Sequence, residues 1–97
     1  MLIKYSEGDR MNNLSYRVYS SYQGWKLIGI KQEIPQVIEL IGTKIKEEVN
    51  AQYLIIEHDR ILNADIPYKT IYGIEDLLIF KEEYKEENNI EQRIKRK

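Results

Sequence analysis

The sequence predicts a single α+β domain, and three observations support this class. Residues 14–31 contain two segments in which polar and apolar side chains alternate, as in half-buried strands. Residues 35–50 carry apolar side chains at three- and four-residue spacing, which is typical of an amphipathic helix. Residues 53–80 then form short apolar runs separated by turns. A chain of 97 residues supplies one modest core, so one domain is expected.

Composition narrows the class of protein. Hydrophobic residues make up 42% of the chain and charged residues 32%, which is typical of a folded globular protein. The net charge of −1 gives no overall field that would recruit nucleic acid or a membrane. The absence of cysteine excludes disulfides and thiol chemistry, and a single histidine, His58, excludes a multi-histidine metal site. No apolar run approaches the roughly 20 residues that a membrane helix needs, and residues 1–10 are too polar for a signal peptide, so we predict a cytoplasmic protein with no membrane segment. No cofactor and no small-molecule substrate are expected.

The first two strands are predicted from alternation. Residues 14–22 place one set of side chains on one face and a second set on the other: Leu14, Tyr16 and Val18 against Ser15, Arg17 and Tyr19. Gln23 and Gly24 supply a turn, so a hairpin to residues 25–31 is expected. In that second strand, alternation predicts that Ile28 and Ile30 lie on one face and that Trp25 and Leu27 lie on the other.

The helix is expected to begin at Pro35, because proline suits the first helical position. Its apolar stripe continues to Val49 and predicts about four turns, with Asn50 as a C-terminal cap. Gly42 within the helix costs about 1 kcal/mol relative to alanine, unless close packing requires the missing side chain.

The remaining chain predicts short strands and two flanking segments. Strands are expected at residues 53–56, 61–62 and 77–81, with a turn at residues 57–60. Residues 1–13 are interpreted as an N-terminal extension in which LIKY has the pattern of a short strand. Residues 82–97 are a charged C-terminal tail, which leaves residues 14–81 as the domain.

The pattern of residues 14–81 resembles the ubiquitin-like β-grasp. The matching segments are Leu54-Ile55-Ile56, Ile61-Leu62, Tyr72-Gly73-Ile74 and Leu78-Ile79-Phe80. The resemblance implies a mixed sheet of four to five strands packed on one amphipathic helix, in the order ββαβ(β)β. It also implies a set of core residues: Leu54, Ile56, Leu62, Ile74, Leu78 and Phe80. A ferredoxin-like or other two-layer α+β fold accommodates the same order of elements.

The resemblance implies a non-catalytic protein-interaction module, an adaptor or accessory subunit of a larger complex. No glycine follows Gly73, so conjugation through a terminal Gly-Gly is not expected unless a longer precursor is processed. The expected partner-binding residues are Ile55, Ile79 and Tyr22 on the exposed sheet face. The alternative is that the tail or residues 1–5 cover this face, or that the strand register differs by one residue.

Two other functions stay open. The basic end, Arg93, Lys95, Arg96 and Lys97, could contact phosphates, although glutamates just upstream weaken its field. An aromatic and basic sheet surface for RNA could form from Arg17, Tyr19 and Trp25. A virus- or plasmid-encoded inhibitor of a host complex would share the same size and lack of motifs. No enzyme is predicted, because residues 57–59 form an acid–His–acid turn without a nucleophile.

Overall fold

Residues 13–95 form a four-stranded sheet with two helices packed on one of its faces. The computed structural model describes the backbone of residues 13–95 and the side chains of residues 13–86. In chain order the elements are β1 (Leu14–Ser20), β2 (Lys26–Lys31), α1 (Ile34–Lys44), β3 (Tyr53–Asp59), β4 (Ala64–Ile71) and α2 (Ile74–Lys95). The predicted α+β class is confirmed. Residues 1–12 of the predicted N-terminal extension lie outside the described residues.

The sheet has the strand order β2-β1-β3-β4, and each pair of neighbours is antiparallel. The predicted hairpin between the first two strands is confirmed as β1–β2. Helix α1 then carries the chain from the edge strand β2 to β3, on the other side of β1. A mixed sheet requires a parallel pair, so within residues 13–95 this part of the prediction is wrong. The β-grasp order is not confirmed.

The two turns between neighbouring strands depend on residues that adopt a left-handed backbone. Gln23 and Gly24 join β1 to β2 with φ of 58° and 98°. Asn63, with φ of 48°, ends the turn between β3 and β4. In that turn the Asp59 carboxylate accepts hydrogen bonds from the backbone N–H groups of residues 61 and 62 at 2.9 and 3.1 Å. Glycine and asparagine reach positive φ at low cost, which explains their use here.

Helix α1 begins where the sequence predicts and ends earlier. Pro35 lies in its first turn, and the Gln36 side chain accepts a hydrogen bond from the backbone N–H of Glu33 at 3.3 Å. The helix ends at Lys44, so it makes about three turns by its 3.6-residue period. The prediction that the stripe continues to Val49 is wrong, because that side chain is exposed. Residues 45–50 form turns instead.

The predicted closing strand at residues 77–81 is wrong, because these residues belong to α2. The Asp76 carboxylate accepts a hydrogen bond from the backbone N–H of Tyr72 at 2.9 Å, at the start of the helix. Leu77 and Phe80 are buried and Tyr84 is half-buried, a spacing of three and four residues that defines one helical face. The backbone of residues 82–95, predicted as a charged tail, continues this helix.

The face that β3 turns to the core is the reverse of the expected one. Tyr53 and Ile55 are both 0% exposed, whereas Leu54 and Ile56 lie on the other face and are half-buried. The reason is the pairing of β3 with β1, in which Ile55 lies opposite the buried Val18. Three further residues predicted for the core are exposed: Leu62, Ile74 and Leu78. Phe80 is buried as predicted.

An aromatic cluster holds α2 on the sheet. Tyr68 of β4 lies between Tyr16 and Phe80, with ring centroids 5.4 and 6.1 Å apart in edge-to-face geometry. The Lys69 ammonium lies 5.2 Å from the centre of the Phe80 ring and 3.1 Å from the Glu83 carboxylate. These contacts join β4 to α2 along one side of the core.

Truncation of two isoleucines should distinguish a core position from a surface position by the loss of stability. We expect Ile55→Ala to lower the free energy of unfolding by about 2–5 kcal/mol, since it leaves a cavity between sheet and helices. Ile79→Ala should change it by less than about 0.5 kcal/mol, because Ile79 is 56% exposed on α2. Urea denaturation followed by circular dichroism measures both values. A larger effect at Ile79 than at Ile55 would contradict the observed register.

Candidate interaction surface

The sheet face opposite the helices carries apolar side chains. Because Tyr16, Val18 and Ser20 of β1 are buried under the helices, Arg17 and Tyr19 point to the other side. The strand pairings put further residues beside them. We call this surface the open face and define it by seven residues: Arg17, Tyr19, Trp25, Leu27, Ile30, Leu54 and Ile56.

A bulge in the first hairpin adds apolar area to the open face. The β1–β2 register shifts between Val18 and Tyr19, so that Ile30 pairs with Arg17 and Leu27 pairs with Tyr19. Both therefore point away from the helices, although the alternation predicts that they lie on opposite faces. Their exposed fractions are 55% for Ile30 and 46% for Leu27.

Trp25 lies at the edge of a shallow depression in the open face. Its side chain is 55% exposed. The depression has a volume of about 330 Å³ and six lining residues: Arg17, Tyr19, Trp25, Leu54, Ile56 and Asp65. Clustered apolar side chains on one surface are characteristic of protein-binding sites, because isolated exposed hydrophobic residues are common but contiguous patches are not.

The charges of the open face are grouped around Asp65. One carboxylate oxygen lies 2.7 Å from Nδ1 of His58, its neighbour across the β3–β4 pair, and the other lies 3.9 Å from Nη1 of Arg17. Asp65 thus balances the charge of Arg17 and orients both side chains. Residues 57–59, predicted as a turn, complete strand β3.

The residues predicted for partner binding do not share one surface. Ile55 is buried between sheet and helices, so the prediction that it points outward is wrong. Ile79 is exposed as expected, but on α2 and therefore on the other side of the sheet. Tyr22 is half-buried and packs against the core. Sequence reasoning missed Leu27 and Ile30 on the open face, because nothing in the alternation signals the bulge.

The residues predicted for nucleic-acid contact are described only in part. Arg93 and Lys95 lie in the backbone of α2, and their side chains are outside the described residues. Arg96 and Lys97 lie outside the described residues altogether. Their contact with nucleic acid stays a prediction. In contrast, Arg17, Tyr19 and Trp25 do line one depression, as the RNA interpretation requires.

A buried carboxylate lies on the helical side of the sheet. The hydroxyls of Ser20 and Tyr53 each donate a hydrogen bond to Oε1 of Glu48 at 2.9 Å. Glu48 and both hydroxyl-bearing residues are buried. This cluster ties the turns after α1 to the two central strands. No sequence signal marks it, because Glu48 follows the helical pattern of an outer-face residue.

Burial changes the titration of two tyrosines in the core. Burial raises the pKa of Tyr16 to about 12, and the nearby Glu57 carboxylate adds to this effect. Burial also raises the pKa of Tyr53, with a further contribution from its hydrogen bond to Glu48. Both tyrosines are therefore held in the protonated form in the folded state.

Other site types receive no support from the described residues. Among residues 13–86, no three side chains of the metal-binding types are close enough to hold an ion. None of the helices within residues 13–95 has the length and apolar character needed to cross a membrane.

Comparison of the chain with protein-family models, with curated proteins and with solved structures gives no significant match.

Removal of the buried carboxylate should destabilise the fold. We expect Glu48→Ala to lower the free energy of unfolding by about 1–3 kcal/mol, because two buried hydroxyls lose their acceptor. Tyr53→Phe, the matched control, removes one donor and leaves Glu48 its bond to Ser20, so about 0.5–1.5 kcal/mol is expected. Urea denaturation measures both. Equal stability of wild type and Glu48→Ala would contradict the described cluster.

The protein should also lose stability in alkali. Tyr16 has a folded-state pKa of about 12 against an ordinary value of 10.0, so the folded state holds its proton more tightly than the unfolded state. The resulting stabilisation is complete below pH 10.0 and decreases as the pH rises toward 12. Urea midpoints measured across this range test the effect. In Tyr16→Phe the decrease should be smaller, and an unchanged decrease would assign it to other groups.

Proposed function

We propose that this chain is a non-catalytic protein-interaction module that binds the apolar surface of a partner protein through the open face. The observation that carries the proposal is the exposure of Trp25, Leu27 and Ile30 on a sheet face that neither described helix covers. An adaptor or accessory subunit of a larger complex fits this property, because its own chemistry is limited to binding.

The dimensions of the open face suit a specific contact. Four strands about 4.8 Å apart and six to eight residues long give a face of about 20 by 23 Å. Such a face corresponds to the smaller specific interfaces, which bury up to about 1,200 Å² in total. Trp25, Tyr19 and Arg17 are of the residue types that contribute most binding energy in interfaces.

The charge of the open face favours protein over nucleic acid. Arg17 is partly neutralised by Asp65, and phosphate binding depends on cations that are free to replace counterions. Single-stranded RNA is the second candidate, because Arg17, Tyr19 and Trp25 lie together and bases stack on aromatic rings. Contact of the basic residues near the C-terminus with nucleic acid stays a prediction, and so does a role as inhibitor of a host complex.

The proposed binding surface does not depend on the resemblance to ubiquitin-like proteins. That resemblance, and with it the β-grasp order, stays a prediction from the sequence pattern. The cytoplasmic location also stays a prediction.

A pair of matched substitutions tests the open face. We expect Leu27→Glu to weaken binding of the partner by about 30-fold, the equivalent of about 2 kcal/mol, because a charge enters an apolar contact. Ile79→Glu places the same charge at a position on α2 that is also about half exposed and should leave the affinity unchanged. Proteins captured from the source cell with each variant are identified, produced separately and titrated by calorimetry.

Three outcomes would contradict the proposal. The first is a purified partner that binds Leu27→Glu as tightly as wild type but not Ile79→Glu. The second is a concentration-dependent dimer that buries Trp25, detected by sedimentation and by the fluorescence of this single tryptophan. The third is tight, salt-dependent binding of a uridine oligonucleotide with no protein partner, which would support the second candidate instead.

A further inference from the structure

A second surface lies on the opposite side of the molecule, between α1 and α2. Helix α1 runs from the Lys31 end of the sheet toward Tyr53, and α2 starts beside Tyr53, after Ile71, and runs back toward Tyr68. The two helices are therefore antiparallel neighbours. An open groove of about 590 Å³ lies along their outer surface, away from the sheet.

The floor and walls of the groove are apolar. Ile74 and Leu78 are spaced four residues apart on α2 and remain 52% and 54% exposed. Leu77 of α2 and two residues of α1, Ile38 and Gly42, complete the apolar lining. An apolar stripe of one helix next to a second helix is the geometry that accepts a third amphipathic helix.

Gly42 keeps the groove open. A Cβ atom at this position would meet only Leu77 Cδ2, at an ordinary contact distance of 3.8 Å, so the packing of α1 on α2 does not require glycine. Glycine inside a helix costs about 1 kcal/mol relative to alanine. No contact within the folded chain offsets this cost. A helix bound in the groove would occupy the space that the missing side chain leaves.

The rim of the groove is basic. Three lysines, Lys46, Lys81 and Lys85, line it against a single carboxylate, Glu39. Among the described side chains Lys46 and Lys81 form no ion pair, and Lys85 has only a 3.9 Å contact with Glu82. Unpaired cations around an apolar groove attract an acidic ligand and disfavour a basic one.

We propose that this groove binds an amphipathic helix of a second protein, with an apolar stripe at i, i+4 and i+7 and with glutamate or aspartate beside it. This site is separate from the open face, since the sheet and the core lie between them. Binding at both would make the chain an adaptor that bridges two proteins.

The probe for this proposal is a pair of synthetic peptides of about 16 residues, long enough to form a helix. Both carry the same leucine stripe, and they differ only in flanking glutamates or flanking lysines. ¹⁵N-labelled full-length chain is titrated with each peptide and followed by NMR. We expect the glutamate peptide to shift the amides of Gly42, Leu77 and Leu78, and to bind at least about tenfold more tightly than the lysine peptide.

Variants in the groove provide the controls. Gly42→Ala should lower the affinity slightly, because its methyl group takes part of the space left for the bound helix. Gly42→Leu should lower it by about tenfold or more at unchanged circular dichroism, because the longer side chain fills the groove. Lys46→Glu with Lys81→Glu should reverse the preference between the two peptides. Leu27→Glu on the open face should have no effect on peptide binding, which separates this proposal from the preceding one.

Four results would overturn the proposal. The first is equal affinity for the two peptides. The second and third are amide shifts that are absent from the groove at millimolar peptide, or that are confined to the open face. The fourth is a shift of groove amides that depends on protein concentration when no peptide is present. The last would identify a second copy of the chain as the occupant. Deletion of residues 1–12 tests the remaining occupant: groove shifts caused by the deletion alone would assign the groove to that segment.

Discussion

The antiparallel pairing of β1 with β3 is the constraint on which the rest of the structure depends. These two strands form the centre of the sheet and supply most of its buried side chains, including Val18 opposite Ile55 and Ser20 opposite Tyr53. A slip by one residue would turn every side chain of β3 to the other face. It would also remove Tyr53 from Glu48, whose hydrogen bonds join the turns after α1 to the sheet. The register therefore sets the core and the position of α1 together.

The sequence predicts those elements whose pattern has one interpretation. In β1, polar and apolar side chains alternate, so the burial of Val18 and the exposure of the opposite face follow directly. In β3, Leu54, Ile55 and Ile56 are all apolar, and alternation cannot say which of them faces the core. The choice depends on the pairing of β3 with β1, which sets Ile55 opposite Val18, and these two residues are far apart in the chain. The run at residues 77–80 has the same ambiguity, although the spacing of Leu77, Phe80 and Tyr84 favours a helix.

The candidate surface, too, can be predicted from the sequence only in part. Arg17 and Tyr19 could be placed on one face from alternation in β1, and the structure brings Trp25 beside them. Leu27 and Ile30 could not, because a bulge in the hairpin changes the phase of β2 and leaves no mark in the composition. Nothing in the sequence marks the register of β3, so alternation alone does not reveal that Ile55 is buried. The groove between the helices cannot be predicted from a sequence pattern that indicates a strand and a charged tail where the structure has α2.

The distribution of charge over the molecule favours binding over simple solvation as the role of the open face. Charged residues make up 32% of the chain, yet the seven residues that define this face include one charged side chain, Arg17, which lies 3.9 Å from the Asp65 carboxylate. The fold does not require apolar side chains at positions 25, 27 and 30, since these remain about half exposed in the folded chain. Lysine or glutamate there would be compatible with an edge strand and would oppose association. These exposed apolar side chains therefore support the proposal that the open face binds a partner. The surface of the two helices differs from the open face, because its apolar groove has a basic rim. The sheet side and the helix side thus present chemically different surfaces.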